Sequence, residues 1–179
     1  MESLKLNETK LTDAGLLALA ELPELDSVDA RILLARDGSQ DASVIELGNR
    51  LGLSRNTVHA RLKRMREQEA LGLPSAAVTP SSVGRPLLAF VTVSVAQQSI
   101  ASAYTTIAAI PEVVEAHTTT GDADLMLRVV ARDPIDLHRI TQGIQLAPGV
   151  QRSSTSIATT EVIAHRMSAL LQELAAQEP

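Results

Sequence analysis

Two short helical patterns that meet at a glycine constrain this 179-residue chain more than any other feature. Ser43 stands as an N-cap before Val44-Ile45-Glu46-Leu47-Gly48-Asn49-Arg50-Leu51, with Glu46 at the spacing of a capping box. Gly52 breaks the pattern because it adopts a turn conformation that other residues resist. Ser54 caps a longer pattern running from Arg55 to Gln68. Upstream, Asp29-Ala30-Arg31-Ile32-Leu33-Leu34-Ala35 reads as a first helix stopped at Asp37-Gly38. This order predicts a helix-turn-helix. Gly48 falls where its two helices must cross closely. Leu47 and Leu51 are spaced to meet Leu53, Val58, Leu62 and Met65 in a small core.

Charge is distributed to match. The chain carries 16 Lys and Arg against 21 Asp and Glu, a net −5. Yet residues 50–66 hold Arg50, Arg55, Arg61, Lys63, Arg64 and Arg66 and no acid, while residues 1–29 hold seven acids and two lysines. An acidic chain with one basic segment has a local polyanion site. In a recognition helix, Arg55, Asn56, Thr57 and His59 occupy the first turns, where side chains reach the base edges of double-stranded DNA. Arg61, Lys63, Arg64 and Arg66 lie further on, in reach of phosphates. The expected DNA-contact set is therefore Ser54, Arg55, Asn56, Thr57, His59, Lys63, Arg64 and Arg66. Only 1% of residues are aromatic, which argues against stacking on single-stranded nucleic acid.

Beyond the basic helix the grammar changes. Gly72, Pro74, Ser75, Pro80, Ser81, Ser82, Gly84 and Pro86 mark a linker. Strand, helix, strand, strand, helix and strand then follow over Leu87–Val95, Ser99–Ile110, Val113–Thr120, Leu125–Ala131, Pro134–Leu146 and Val150–Ile163, and a last helix over His165–Ala176. That order is the ferredoxin-like βαββαβ arrangement. The expected organisation is a helical extension at 1–24, a helix-turn-helix at 25–70, a linker or wing at 71–86, and an α+β domain at 87–179. Thr12-Asp13 caps a helical pattern in the extension that Pro23 stops.

Five motifs in order resemble the Lrp/AsnC, or feast/famine, family of transcriptional regulators. Leu25-Asp26-Ser27-Val28-Asp29-Ala30-Arg31-Ile32-Leu33 is similar to its "LDxxDxxIL", and Glu46 to Ser54 to its "ELAxxxGLS". Arg61-Leu62-Lys63-Arg64-Met65 resembles its "RxxRL", Gly121 to Asp124 its "GxxD", and Pro148-Gly149-Val150 with Thr155 its "PGVxxxxT". The likeness spans roughly Leu25 to His165. It implies a winged helix-turn-helix joined to an effector (RAM) domain whose sheets pair into dimers, which assemble to tetramers or octamers. It also implies an amino acid or similar metabolite bound beside the GxxD turn. Two departures stand out. Glu69 replaces the usual Gly before the wing, and Leu73-Pro74 the usual Gly-Tyr within it. Proline cannot donate to a strand ladder, which weighs against a regular wing hairpin.

An amino-acid effector needs hydroxyls, backbone N–H groups or a cation for its carboxylate, and acids or carbonyls for its ammonium. Thr120, Gly121, Asp122, Ala123 and Asp124 offer the turn, and Arg152, Ser153 and Thr155 the facing strand. The expected function is sequence-specific transcription regulation modulated by such an effector. Two alternatives share the architecture: a sirohaem-decarboxylase-like enzyme, which has no use for a basic recognition helix, and a low-specificity DNA-architecture protein. His59, His117, His138 and His165 lack metal-ligand spacing, there is no Cys, and no nucleophile elbow or phosphate loop is present. No enzyme activity, cofactor or metal is expected. Nor is a membrane partner, since no apolar leader or long apolar run occurs; a cytoplasmic, nucleoid-associated location follows.

Overall fold

The computed structural model describes residues 25–39 and 41–177, so the helical pattern read before Pro23 lies outside the described residues. The chain forms two compact units. The first contains α1 (Ser27–Asp37), α2 (Val44–Leu51), α3 (Arg55–Glu67) and α6 (Ser168–Ala175). The second contains β1 (Leu87–Val95), α4 (Ile100–Ala108), β2 (Val113–Thr118), β3 (Leu125–Ala131), α5 (Pro134–Gln145) and β4 (Val150–Ile157).

In the first unit, local chemistry fixes the helix ends. Ser43 and Glu46 form the expected capping box: Ser43 N–H donates to Glu46 Oε2 at 2.7 Å and Glu46 N–H to Ser43 Oγ at 3.2 Å. Gly52 ends α2 with φ +69°, a left-handed conformation, and its N–H donates to Gly48 O. Gly48 is itself buried, and a Cβ added there would stand 2.7 Å from Leu53 O. The turn therefore packs closely enough on α2 that a side chain at position 48 would force the backbone at Leu53 to shift. Ile32, Leu47, Val58, Leu62 and Met65 form the buried core, with Leu51 and Leu53 packed against it. Burying each such side chain stabilises the fold by roughly 1.5–3 kcal/mol.

The C-terminus of α3 carries the first departure. Glu69 N–H donates to Arg66 O at 3.1 Å and Ala70 N–H to Met65 O at 2.9 Å, the paired bonds of a Schellman motif. That motif needs a left-handed residue at its centre, and Glu69 takes it with φ +55°. Where a wing hairpin would follow, residues 71–86 carry two 3-10 turns, Pro74–Ala77 and Pro80–Val83, and no strand. Prolines that cannot donate to a ladder open both turns.

In the second unit the sheet has order β2-β3-β1-β4, antiparallel throughout. Ala89, Val91, Val93 and Val95 alternate onto one face, beside Leu125, Leu127 and Val129 of β3. That face is covered by Ala103 and Ile107 of α4 and Leu137, Ile140 and Ile144 of α5. The other face carries Phe90 and Met126, each 42% exposed. At the start of α5 the buried Asp136 accepts from Arg132 Nε at 3.2 Å and Arg139 Nε at 3.0 Å. The hydrogen bonds from Arg132 hold its carboxyl far below the usual carboxylate range.

Two expectations differ from the structure. β4 ends at Ile157 rather than Ile163. The last helix, expected with the α+β domain, packs on α1 in the first unit, so the chain leaves that unit after Leu73 and returns at His165. Periodicity gives a helix but not the neighbour against which it lies.

Candidate nucleic-acid interface and effector turn

α3 is built as a two-sided rod. Val58, Leu62 and Met65 point inward and are 0–4% exposed. Arg55, Asn56, His59, Lys63 and Arg66 are exposed along the rest of the helix. Ser54 caps it: its Oγ accepts from Thr57 N–H at 3.0 Å and lies 2.8 Å from Thr57 Oγ1. Ser54 and Thr57 are thus engaged in the cap at the very turn expected to meet DNA. Lys63 has only a loose pair with Glu67, 3.6 Å away, and both side chains are more than 60% exposed. Such a pair contributes little and yields readily to another anion.

Arg61 and Arg64 depart from expectation. Arg61 Nη1 donates to Asp26 Oδ2 at 2.5 Å and to Asp29 Oδ1 at 2.9 Å. Arg64 Nη2 donates to Asp29 Oδ2 and lies 3.8 Å from Asp26 Oδ2. Expected to face phosphates, Arg64 is instead held by a fully buried carboxylate, because a buried charge must be paired. The acids also cap α1 reciprocally, with Asp29 N–H donating to Asp26 Oδ1 at 2.9 Å and Asp26 N–H to Asp29 Oδ2 at 3.2 Å. Burial pushes the Asp26 carboxyl up, but the hydrogen bonds from Arg61 and from the Asp29 and Val28 amides outweigh it and hold the carboxyl low. The Arg61 guanidinium is raised in turn, chiefly by Asp26. Sequence reasoning missed this cluster, although its signals are present: two acids at capping-box spacing and two arginines three apart on the next helix but one.

The second candidate site is the β2–β3 connection. Thr120, Gly121, Asp122, Ala123 and Asp124 form one tight turn docked on the end of β1. Asp124 N–H donates to Val93 O at 3.0 Å, and Asp124 Oδ2 accepts from Val95 N–H at 2.7 Å. Ser94 Oγ donates to Asp122 O at 3.3 Å, and Thr119 Oγ1 to Ala123 O at 2.6 Å. Asp124 therefore completes the β1 ladder where β3 stops. Burial, with the nearby Asp124 carboxylate, pushes the Tyr104 hydroxyl up, a neighbour that sequence reasoning did not place here.

The facing strand does not present its three residues together. Ser153 pairs with Val93 and Thr155 with Val91, so both point to the side of the sheet that bears the helices, although Thr155 at this edge is exposed. Arg152 pairs with Ser94 and projects from the opposite, open face. Since β1 lies between β3 and β4, the turn and these residues are separated by two strand spacings, roughly 10 Å. Among the described residues no group of acids and histidines could hold a metal ion, and no helix is long and apolar enough to cross a membrane.

Residues 25–71 match a winged helix-turn-helix DNA-binding family, and residues 88–168 match the Lrp/AsnC ligand-binding domain. The transcriptional regulator FL11 of Pyrococcus abyssi is 30% identical over 135 residues, spanning 74% of this chain and 88% of that protein. The transcriptional regulator Rv2324 of Mycobacterium tuberculosis is 29% identical over 146 residues, spanning 79% and 97%. Among solved structures, E. coli AsnC superposes with TM-score 0.73 at 25% identity, covering 82% of this chain and 99% of that one. A Neisseria meningitidis transcriptional regulator solved as a complex with L-Met superposes with TM-score 0.69 at 26% identity, covering 81% and 96%.

Proposed function

The chain belongs to the Lrp/AsnC family of DNA-binding transcriptional regulators, and we propose that it recognises a specific operator through α3 and responds to an amino acid or related metabolite at the turn 120–124. The observation that carries this reading is the exposed polar face of α3. Arg55, Asn56 and His59 project from its capped first turns, while Val58, Leu62 and Met65 anchor the opposite side. A major-groove helix needs this division, with side chains able to pair with base edges near its N-terminus. Lys63 and Arg66 serve phosphates.

The effector half rests on the match of residues 88–168 to a ligand-binding domain and on the neisserial relative, which is complexed with L-Met. Asp122 and Asp124 supply carboxylates for an ammonium group. Hydrogen bonds to charged groups contribute about 1.5–3 kcal/mol each. A few of them, offset by association entropy, give micromolar to millimolar affinity, suited to a nutrient sensor. Self-association through the open sheet face, where Phe90 and Met126 stand exposed, gives a dimer whose two α3 helices read a pseudo-palindromic site.

The test is fluorescence anisotropy on the duplex upstream of the chain's own gene against a scrambled duplex, with and without a pool of the twenty amino acids. A regulator prefers its operator by about 10³ or more, and the pool changes that binding. Equal affinity for both duplexes marks an architectural DNA binder instead. No binding at low salt overturns the reading.

A further inference from the structure

We propose that Asp26 and Asp29 limit the sequence-independent DNA affinity of this protein by holding Arg61 and Arg64 off the phosphate backbone; the inference rests on α3 being the DNA-reading helix. Six cations and no acid over residues 50–66 make a sequence-independent polyanion attractor. Each phosphate that a cation neutralises strengthens binding to every sequence alike, and non-specific binding is almost wholly this effect. A regulator works by its preference for one site over a large excess of others. A cation that touches phosphate adds affinity for every site and nothing to that preference.

The structure sorts the cations of α3 into two groups. Lys63 is loosely paired and mostly exposed, and Arg55 and Arg66 are exposed. Arg61 is only 25% exposed and donates to both acids, at 2.5 and 2.9 Å. Arg64 is partly exposed, but its guanidinium is bound by Asp29, and its Nε is buried with no partner. A guanidinium reaching freely into solvent would keep that nitrogen wet. For Arg64 to swing to a phosphate, it must leave a carboxylate that is completely buried. That carboxylate then keeps only Arg61, at 2.9 Å, and loses a guanidinium partner that water cannot replace at a fully buried site. Asp26, half-exposed and ionised to low pH, fastens Arg61 from the other side. Two of the five cations on α3 are thereby removed from the phosphate-binding set, although they lie on the same helix as the base-reading residues.

The experiment is a salt series on a random-sequence duplex, read by anisotropy, with the full chain as wild type, Arg64→Gln and Asp26→Asn, each checked for folding by far-UV circular dichroism. Arg64→Gln is expected to leave the log–log salt slope unchanged. Asp26→Asn is expected to leave Arg61 held by Asp29 alone, free for phosphate part of the time, and to steepen the slope by up to about 0.9 per subunit, at most a further three- to four-fold loss of affinity between about 50 and 200 mM salt. If Asp26→Asn does not fold, Arg64→Gln decides alone. A slope flattened by about 0.9 per subunit in Arg64→Gln, or unchanged in folded Asp26→Asn, overturns the proposal while the regulator reading stands. A wild type that binds no duplex overturns both.

Discussion

Arg61 Nη1 lies 2.9 Å from Asp29 Oδ1, joining the middle of α3 to the first turn of α1 across 32 residues of sequence. Asp29 is fully buried and also closes the capping box of its own helix. One carboxylate therefore ends α1 and fixes where α3 lies. Asp29→Ala leaves two guanidinium groups without their buried partner. The two guanidinium groups are partly exposed and keep Asp26, so the cost is that of the lost hydrogen bonds to a charged group, about 1.5–3 kcal/mol each. We expect the helical unit to lose most of its stability and DNA binding to disappear, while the sheet unit keeps its structure. Urea denaturation followed by circular dichroism, with exchange protection of β1 and β3 amides, checks both halves.

That relationship marks where the sequence was legible and where it was not. The caps of α2 and α3 and the break at Gly52 are written in neighbouring residues, and the structure reproduces both starts. β1 and β3 appear where the β-branched runs lie. What could not be read depends on contacts between distant residues. Arg64 looks like a phosphate ligand until Asp29, 35 residues away, is brought beside it. Arg152, Ser153 and Thr155 look like one group until the strand alternation sends Arg152 to the other face. The last helix looks like part of the α+β domain because no local pattern encodes its contact with α1.

Gly48 is the second determinant of the turn geometry. A methyl group at that position meets the backbone oxygen of Leu53 at 2.7 Å, and a backbone atom cannot move aside as a side chain can. Overpacking of this kind costs about 1–3 kcal/mol. Gly48→Ala should lower the thermal midpoint by several degrees and weaken operator binding more than Ala at exposed Asn49, its neighbour. Equal effects at the two positions would show that the contact relaxes without consequence.

Glu69 offers the opposite case, a natural residue in a conformation that suits it poorly. Its φ of +55° lies where side-chain-bearing residues are disfavoured, and the Schellman bonds on either side leave it no alternative. Left-handed backbone costs an ordinary residue about 1–2 kcal/mol, partly offset in glycine by a larger loss of freedom on folding. Glu69→Gly is expected to stabilise the helical unit by about 0.5–1 kcal/mol, while Glu69→Val, β-branched, should destabilise it. Differential scanning calorimetry of the three proteins reads the order directly.

Acid should loosen the helical unit through Asp26. Its carboxyl titrates below the ordinary value of 3.8 in the folded chain, so the unfolded chain takes up this proton first as pH falls. Its contribution is fully present above the unfolded pKa and is lost as pH drops through the lower, folded one. Between about pH 5 and pH 2 the wild type should therefore lose stability faster than Asp26→Asn, which carries no proton to gain. A pair of stability–pH curves with the same slope in that window would remove Asp26 from the account.

Asp124 is both a structural acceptor and the candidate effector carboxylate, and the two roles can be separated. Asp124→Ala strands the Val95 N–H now bound at 2.7 Å, so any loss of effector response in that variant is confounded with a loosened strand end. Asp124→Asn retains an oxygen to accept from Val95 and removes only the charge. An ammonium group depends on that charge; the β1 ladder does not. We expect Asp124→Asn to keep the thermal midpoint within a few degrees and operator binding intact. The amino-acid concentration that changes operator binding should rise roughly ten-fold or more, the loss of one charge-assisted hydrogen bond of at least about 1.5 kcal/mol. Asp122→Asn, whose carboxylate makes no ladder bond among the described residues, should show the same separation. A response to the amino-acid pool that neither substitution moves would place the effector away from the 120–124 turn.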